Sequence, residues 1–398
     1  MRLIACWVGE KYEFIIHLSL LIMETSKRSV GILTFHASHN YGSMLQAHAL
    51  QYVVVKLGYT CEIINFRKKE QLKMYAPIHK RGSLLQRLVR TVTLFPYLKG
   101  CNEKYRLFEE FMQQYMNLSP DIYHTLEDVE KAGLQYDYYI TGSDQIWNPI
   151  CWDFDWVYFL PFVEKGKKIA YAPSMGGMKD AIEADYIPKM KRYIESYDAL
   201  SVRELGTVQK MSTFIDRDLK MVLDPTLLVD VEHWNEMIDP QPLVAGEYLF
   251  LYAPVFNLPT FEMVRRIADR LKLKVVISQL YGREITYKYR DFMIYAAVGP
   301  KEFLNLCKNA RLVCGNSFHL IVFSILLKVP FLAVNGLSDN RISDLLHKTG
   351  LEGRAISNKN FDEAIGNAFS LTFEEAQQRL DEERKSSINY LMKSLNLI

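Results

Sequence analysis

Short apolar runs, each closed by a polar, turn-rich loop and followed by a helical repeat, recur along most of the chain. Val30–Phe35, Cys61–Phe66, Tyr136–Thr141, the run opening at Ile169 and Ala199–Arg203 read as buried strands of a first half. Tyr248–Tyr252, Lys274–Ser278, Arg311–Cys314 and Pro330–Val334 repeat the pattern in a second half. Helical periodicity fills the gaps over Ser43–Leu57 (closed by Gly58), Leu205–Phe214, Thr260–Leu271, Lys301–Asn309 and Asp339–Lys348. Alternation of this kind predicts parallel sheets, hence an α/β fold with two Rossmann-like domains in series and a cleft between their sheet edges. The expected boundaries are an N-terminal extension (1–28), a first domain (29–230), a linker (231–247, with Pro240, Pro242 and Gly246), a second domain (248–360) and a helical tail (361–398).

Two stretches break the alternation. Residues 67–115 are basic and carry an amphipathic segment, Leu84–Val92, with Arg87 and Arg90 opposite an apolar face. That face either meets a membrane surface peripherally or packs on the sheet as a helical insertion. Phe14–Met23 is apolar but interrupted by His17 and too short to span a bilayer, so residues 1–22 are expected to be a dispensable extension.

The 398 residues are 49% hydrophobic and 13% aromatic, enough for two packed cores. A net charge of +2 gives no global attraction to nucleic acid, so no nucleic-acid partner is expected. Six cysteines are scattered without CxxC or metal-ligand spacing, which fits a reduced, cytoplasmic protein with no metal site and no bound cofactor.

The chemistry-bearing residues cluster in the loops that follow strands. Gly315-Asn-Ser-Phe-His319 lies between a strand and a helix with almost no polar face (Leu320–Leu327), and free N–H groups at such a helix start favour an anion. His319 is placed to be its titratable partner, against the plainer role of a cap or core histidine. The run resembles the G-x-S-x-G elbow of serine hydrolases, but His occupies the last glycine position, which counts against that chemistry. Gly142-Ser-Asp-Gln-Ile-Trp-Asn148 packs Ser143, Asp144, Gln145, Trp147 and Asn148 behind a strand end. A ligand role follows, with Asp144 activating a sugar hydroxyl and Trp147 stacking on a sugar ring. Arg203 ends a strand where a guanidinium can take a carboxylate or phosphate bidentately, or simply pair with an acidic neighbour. Asn40 and Ser43 open a helix as caps or ligand contacts, beside Tyr41 and Gly42.

With these residues in view the chain resembles the polysaccharide pyruvyl transferase family. The resemblance rests on Asn40-Tyr-Gly-Ser43, Thr141–Asn148, Ala170–Gly176, Ser201-Val-Arg-Glu204, Leu223-Asp-Pro-Thr-Leu227, and Ser317-Phe-His319 with its helix and Pro330. It implies a GT-B-like arrangement and transfer of pyruvate from phosphoenolpyruvate, a co-substrate, to a sugar diol of a glycan or lipid-linked saccharide. It implies donor contacts from Arg203 and His319, and Asn316, Ser317 and Phe318 in the turn before the histidine are expected to join them. The acceptor contacts expected are Asn40, Tyr41, Gly42, Ser143, Asp144, Gln145, Trp147 and Asn148. Members often carry Arg two residues before the histidine, where this chain has Ser317; Arg283 is one candidate for the missing cation. A nucleotide-sugar glycosyltransferase and a non-catalytic glycan-binding relative are the other two readings.

Overall fold

The computed structural model describes residues 28–77, 83, 88, 91–92, 95–176, 182–281 and 288–398. Arg283 and most of Leu84–Val92 lie outside these residues; Leu88 and Val92, within them, are exposed.

Two six-stranded sheets form, both wholly parallel among the described residues. The first contains β1 (Ser29–Leu33), β2 (Thr60–Ile63), β3 (Tyr138–Thr141), β4 (Lys167–Ala170), β5 (Ala199–Val202) and β6 (Lys220–Met221), in the order β2-β1-β3-β4-β5-β6. The second contains β7 (Tyr248–Tyr252), β8 (Lys274–Ile277), β9 (Met293–Ile294), β10 (Leu312–Gly315), β11 (Phe331–Val334) and β12 (Ala355–Ile356), in the order β12-β11-β10-β7-β8-β9. Strand order reverses between β1 and β3 in one sheet and between β7 and β10 in the other. Open α/β sheets bind ligands beyond the carboxyl ends of the strands at such reversals.

Near-complete apolarity explains the helix Phe318–Leu326. All nine residues are buried, because the helix is covered by β10 and β11 on one side and by the Tyr41–Lys56 helix of the first domain on the other. Tyr41 fastens the same junction. Its ring stacks on Phe303 at 4.6 Å between centroids, and its hydroxyl donates to the Ser278 carbonyl at 3.0 Å. One apolar core therefore runs through the junction of the two domains.

The segment 231–247 is more than a connector. Val231–Met237 is a helix whose Trp234 is fully buried, donating its indole N–H to Thr226. The tail also contributes. After a short helix (Phe361–Gly366), Glu374–Ser394 runs back to the first sheet, where Tyr390 Oη donates to the Ala170 carbonyl and Ser387 Oγ accepts from the Leu223 N–H. Among the described residues no helix is long and apolar enough to cross a membrane, and no cluster of acidic, His and Cys side chains is arranged to hold a metal ion.

Candidate active site

The carboxyl ends of both sheets open onto one cleft of about 1480 Å³. Loops after β1 and β3 line one wall, and loops after β7 and β10 the other.

Asp224 organises its floor. The residue follows β6 and is fully buried. Its Oδ1 accepts from the Thr226 N–H (3.1 Å) and the Thr226 hydroxyl (2.7 Å), which fixes the carboxylate plane. Its Oδ2 faces three groups from different elements: Arg203 Nη1 at 2.6 Å, the Ser143 hydroxyl at 3.3 Å and His319 Nε2 at 3.4 Å. Burial alone would raise the Asp224 carboxyl, but the facing His319 and Arg203 outweigh it and hold the group well below the usual carboxylate range.

Arg203 is buried at the end of β5, beside Glu204 (Nε to Oε2, 3.3 Å) and with its guanidinium carbon 4.5 Å from the Phe318 ring centroid. Burial opposes its charge; Asp224, Glu204 and Asp144 together restore it and push its pKa upward. Arg203 Nη2 and His319 Nε2 are both buried without a hydrogen-bond partner, as is Asn316 Oδ1 beside them. His319 is within ion-pair distance of Asp224, but the orientation does not make a hydrogen bond. Buried donors seldom stay unpaired without a ligand to take them.

Gly42 seats His319. A Cβ at this position would fall 2.0 Å from Nδ1 of the imidazole and 2.3 Å from its Cγ. Only the absence of a side chain in the first turn of the Tyr41–Lys56 helix allows the ring to lie there. Asn40 caps that helix, its Oδ1 accepting from the Gly42 and Ser43 N–H groups, and also lines the cleft. The Ser43 hydroxyl donates to Asp144 Oδ2 at 2.5 Å, while Asp144 Oδ1 accepts from the Gln145 N–H at 2.8 Å. Asp144 has a left-handed backbone (φ 73°) and follows Gly142 (φ 124°), where a Cβ would lie 1.9 Å from the Tyr171 carbonyl oxygen.

Among the residues anticipated from sequence, Asn40, Asp144, Gln145, Asn316, Ser317, Phe318 and His319 line the cleft. Five do not. Trp147 is fully buried, stacked on Phe159 at 5.2 Å with its indole N–H donating to Tyr158, so it is closed to a sugar ring. Ser143 is also fully buried and braces Asp224. Asn148 turns inward to donate to Gln145 Oε1. Tyr41 is committed to the domain junction, and Gly42 acts through His319. Arg203 sits just beneath the lining, behind Asp224 and Phe318.

Sequence reasoning gave no role to Asp224, although its turn lay within a matching stretch. It also passed over the far end of the cleft. There Asp153 is buried, with Oδ2 accepting from the Ser38 hydroxyl (2.8 Å) and the Tyr75 hydroxyl (2.9 Å), while Oδ1 has no partner. Burial pushes this carboxyl up. The half-buried Trp152 and Tyr75 rings meet edge-on beside it, both on the cleft wall.

The family model for polysaccharide pyruvyl transferase matches residues 40–338. The chain belongs to the polysaccharide pyruvyl transferase family. That span carries every member of the Asp224 cluster and most of the cleft wall, while Phe35, Ser38, His39, Asp339 and Arg341 line the cleft from outside it. No curated protein matches the chain by sequence. Solved structures match by shape at low identity. An S. aureus MnaA–UDP co-structure aligns with TM-score 0.54 and 11% identity over 94% of this chain and 98% of that one. The UDP-GlcNAc 2-epimerase of Neisseria meningitidis bound to UDP-GlcNAc aligns with TM-score 0.52 and 10% identity over 92% and 100%. The UDP-N-acetylglucosamine 2-epimerase of Rickettsia bellii gives 0.51 and 9% over 93% and 99%. These likenesses establish the GT-B-like arrangement of the two domains and nothing about the ligand.

Proposed function

We propose that the chain transfers pyruvate from phosphoenolpyruvate to a sugar diol of a surface polysaccharide or its lipid-linked precursor, forming a cyclic ketal and releasing phosphate. The observation that carries this reading is the pair of buried nitrogens without a hydrogen bond, Arg203 Nη2 and His319 Nε2, on two side chains that face the one carboxylate of Asp224. Phosphoenolpyruvate presents a carboxylate and a phosphate, and such a corner supplies donors and a favourable dipole to an anion of that kind.

His319 donates a proton to the methylene carbon, C3, which becomes the methyl group and leaves C2 an oxocarbenium-like centre. A sugar hydroxyl attacks C2 and gives up its proton. The C2–O bond to phosphate breaks, the electron pair leaving with phosphate, and a second hydroxyl closes the ring on C2. Of the two hydroxyl protons lost by the diol, one balances the methyl group and the other leaves with phosphate. Asp144, which lines the cleft and is fixed by Ser43 and the Gln145 N–H, takes the acceptor proton. The Trp152–Tyr75 corner with Asp153 suits the acceptor glycan, since a ring face and a carboxylate oxygen are what a pyranose and its hydroxyls take up. A lipid-linked acceptor would draw the protein to the inner face of the membrane from the cytoplasm.

The test measures phosphate release from phosphoenolpyruvate with a glycan acceptor, beside nucleotide release from a nucleotide sugar. Phosphate release that disappears in His319→Ala is the expected result. Nucleotide release alone would turn the assignment to a glycosyltransferase, and neither signal to a glycan-binding protein.

A further inference from the structure

Two cations, Lys104 and Arg341, and two imidazoles, His39 and His319, line the cleft. Three are already answered by acids. His39 Nε2 lies 3.0 Å from Glu109, Arg341 grips Asp339 through Nε (3.1 Å) and Nη2 (2.7 Å), and His319 faces Asp224. Lys104 has no carboxylate partner among the described residues.

Its position is unusual for an unpaired ammonium. Lys104 comes from the Leu98–Tyr115 helix and lays Nζ over two buried rings, 4.9 Å from the Tyr41 centroid and 5.9 Å from that of Phe108. The Tyr41 hydroxyl donates to the Ser278 carbonyl, and among the described residues it makes no hydrogen bond with Lys104. Ring faces return part of the lost hydration, yet much less than an anion would. Lys104 and His319 both line the cleft, the first over Tyr41 and the second against Gly42, the next residue. Ser317, at the start of the Phe318–Leu326 helix, brings no charge of its own.

We propose that Lys104 is the phosphate anchor of this cleft, pairing with the phosphate group of a bound substrate on the wall beside His319. The proposal rests on the anion-transfer reading given above and adds the residue that holds the phosphate. Two sources can present that group: the donor's phosphate, or the diphosphate of a lipid-linked acceptor. The ammonium waits over Tyr41 and Phe108 until a dianion arrives. Burial lowers Lys104 to about 8, which is how a desolvated ammonium without a counter-charge behaves.

The experiment uses the full chain in three forms, wild type, Lys104→Met and Lys104→Arg, titrated calorimetrically with phosphoenolpyruvate, inorganic phosphate and inorganic pyrophosphate. Loss of one charge-assisted contact should weaken binding roughly 10- to 100-fold in Lys104→Met. Lys104→Arg should stay within a few-fold of wild type, and the unliganded melting temperature of Lys104→Met should not fall, since no ion pair among the described residues is lost. Weakening confined to phosphoenolpyruvate and phosphate assigns the anchor to the donor; weakening confined to pyrophosphate assigns it to the acceptor. Unchanged affinity of Lys104→Met for all three would overturn the proposal. So would a wild-type chain that binds none of them. A wild type that binds phosphate but not phosphoenolpyruvate sinks the donor assignment instead, and Lys104 is then judged on phosphate.

Discussion

Replacing Gly42 by Ala adds one methyl group to the molecule and should remove most of its activity. The added carbon would sit 2.0 Å from His319 Nδ1, whereas ordinary van der Waals contact begins at 3.4 Å, so the ring must retreat by about 1.4 Å. The free direction is into the cleft, away from Asp224 Oδ2, already 3.4 Å distant. Misplacing a catalytic group by about 1 Å costs roughly 100-fold, and losing a general acid outright costs about 10²–10⁴-fold. We expect Gly42→Ala to turn over 10²–10³-fold more slowly, about 3–4 kcal/mol in the barrier. Stability should fall as well, because the new methyl would also lie 2.8 Å from His319 Cβ, which only a backbone shift relieves, against the roughly 0.5–1 kcal/mol by which Ala favours a helix over Gly. Steady-state phosphate release is the assay, with thermal melting as the check on folding. The double variant Gly42→Ala/His319→Ala should be no slower than His319→Ala, since both changes remove one function. A Gly42→Ala enzyme within threefold of wild type, or a double variant whose losses multiply, would refute the account of how His319 is seated.

The two tryptophans should separate cleanly. Trp147→Ala, in the core, is expected to cost about 3–5 kcal/mol of stability in denaturant unfolding, whereas Trp152→Ala should leave stability near wild type and raise the KM for glycan with the KM for phosphoenolpyruvate unchanged. Equal stability losses would remove Trp152 from the acceptor end. Acid should destabilise the fold well before its carboxylates titrate. Burial pushes both His36 and His48 down to about 4, with the Arg67 charge adding to the effect at His36 and His233 at His48. Their unfolded values are about 6.5, so the unfolded chain takes protons the folded one refuses. Stability is therefore full above about 6.5 and falls as pH drops toward about 4, on the order of 3 kcal/mol per site. Urea unfolding at pH 7.5, 6 and 5 reads this directly, and a flat profile across that range would contradict it.

The strands were legible in the chain to within a few residues because parallel strands covered on both faces must be apolar throughout, and the loops between them must turn. Tyr248–Tyr252 matches its observed bounds, Leu312–Gly315 is displaced by one residue from the expected Arg311–Cys314, and the two-residue strands Lys220–Met221, Met293–Ile294 and Ala355–Ile356 were not anticipated. Which polar loop residue faces a ligand was much less legible. Ser143, Trp147 and Asn148 carry the same groups as a binding loop would, but a strand-end loop folded back under the sheet uses those groups to satisfy its own buried backbone. Asp224 escaped notice for the opposite reason. A single Asp-Pro-Thr turn looks like a cap, and its importance arises only when β5, the Ser143 loop and the helix of the other domain converge on it. Lys104 was hidden because its helix interrupts the βα alternation, so nothing local linked it to a cleft built from strand ends.

The return of the last helix to the first sheet has a consequence for how this family can vary. Ser387 holds the Leu223 N–H and Arg384 Nε holds the Leu227 carbonyl, so the turn that presents Asp224 is gripped on both sides from beyond residue 338, where the family match stops. The motif inside the matched span is thus braced from outside it. Any relative with a different C-terminus must brace that turn by some other means, and an alteration more than 150 residues downstream can silence His319 and Arg203 without touching either.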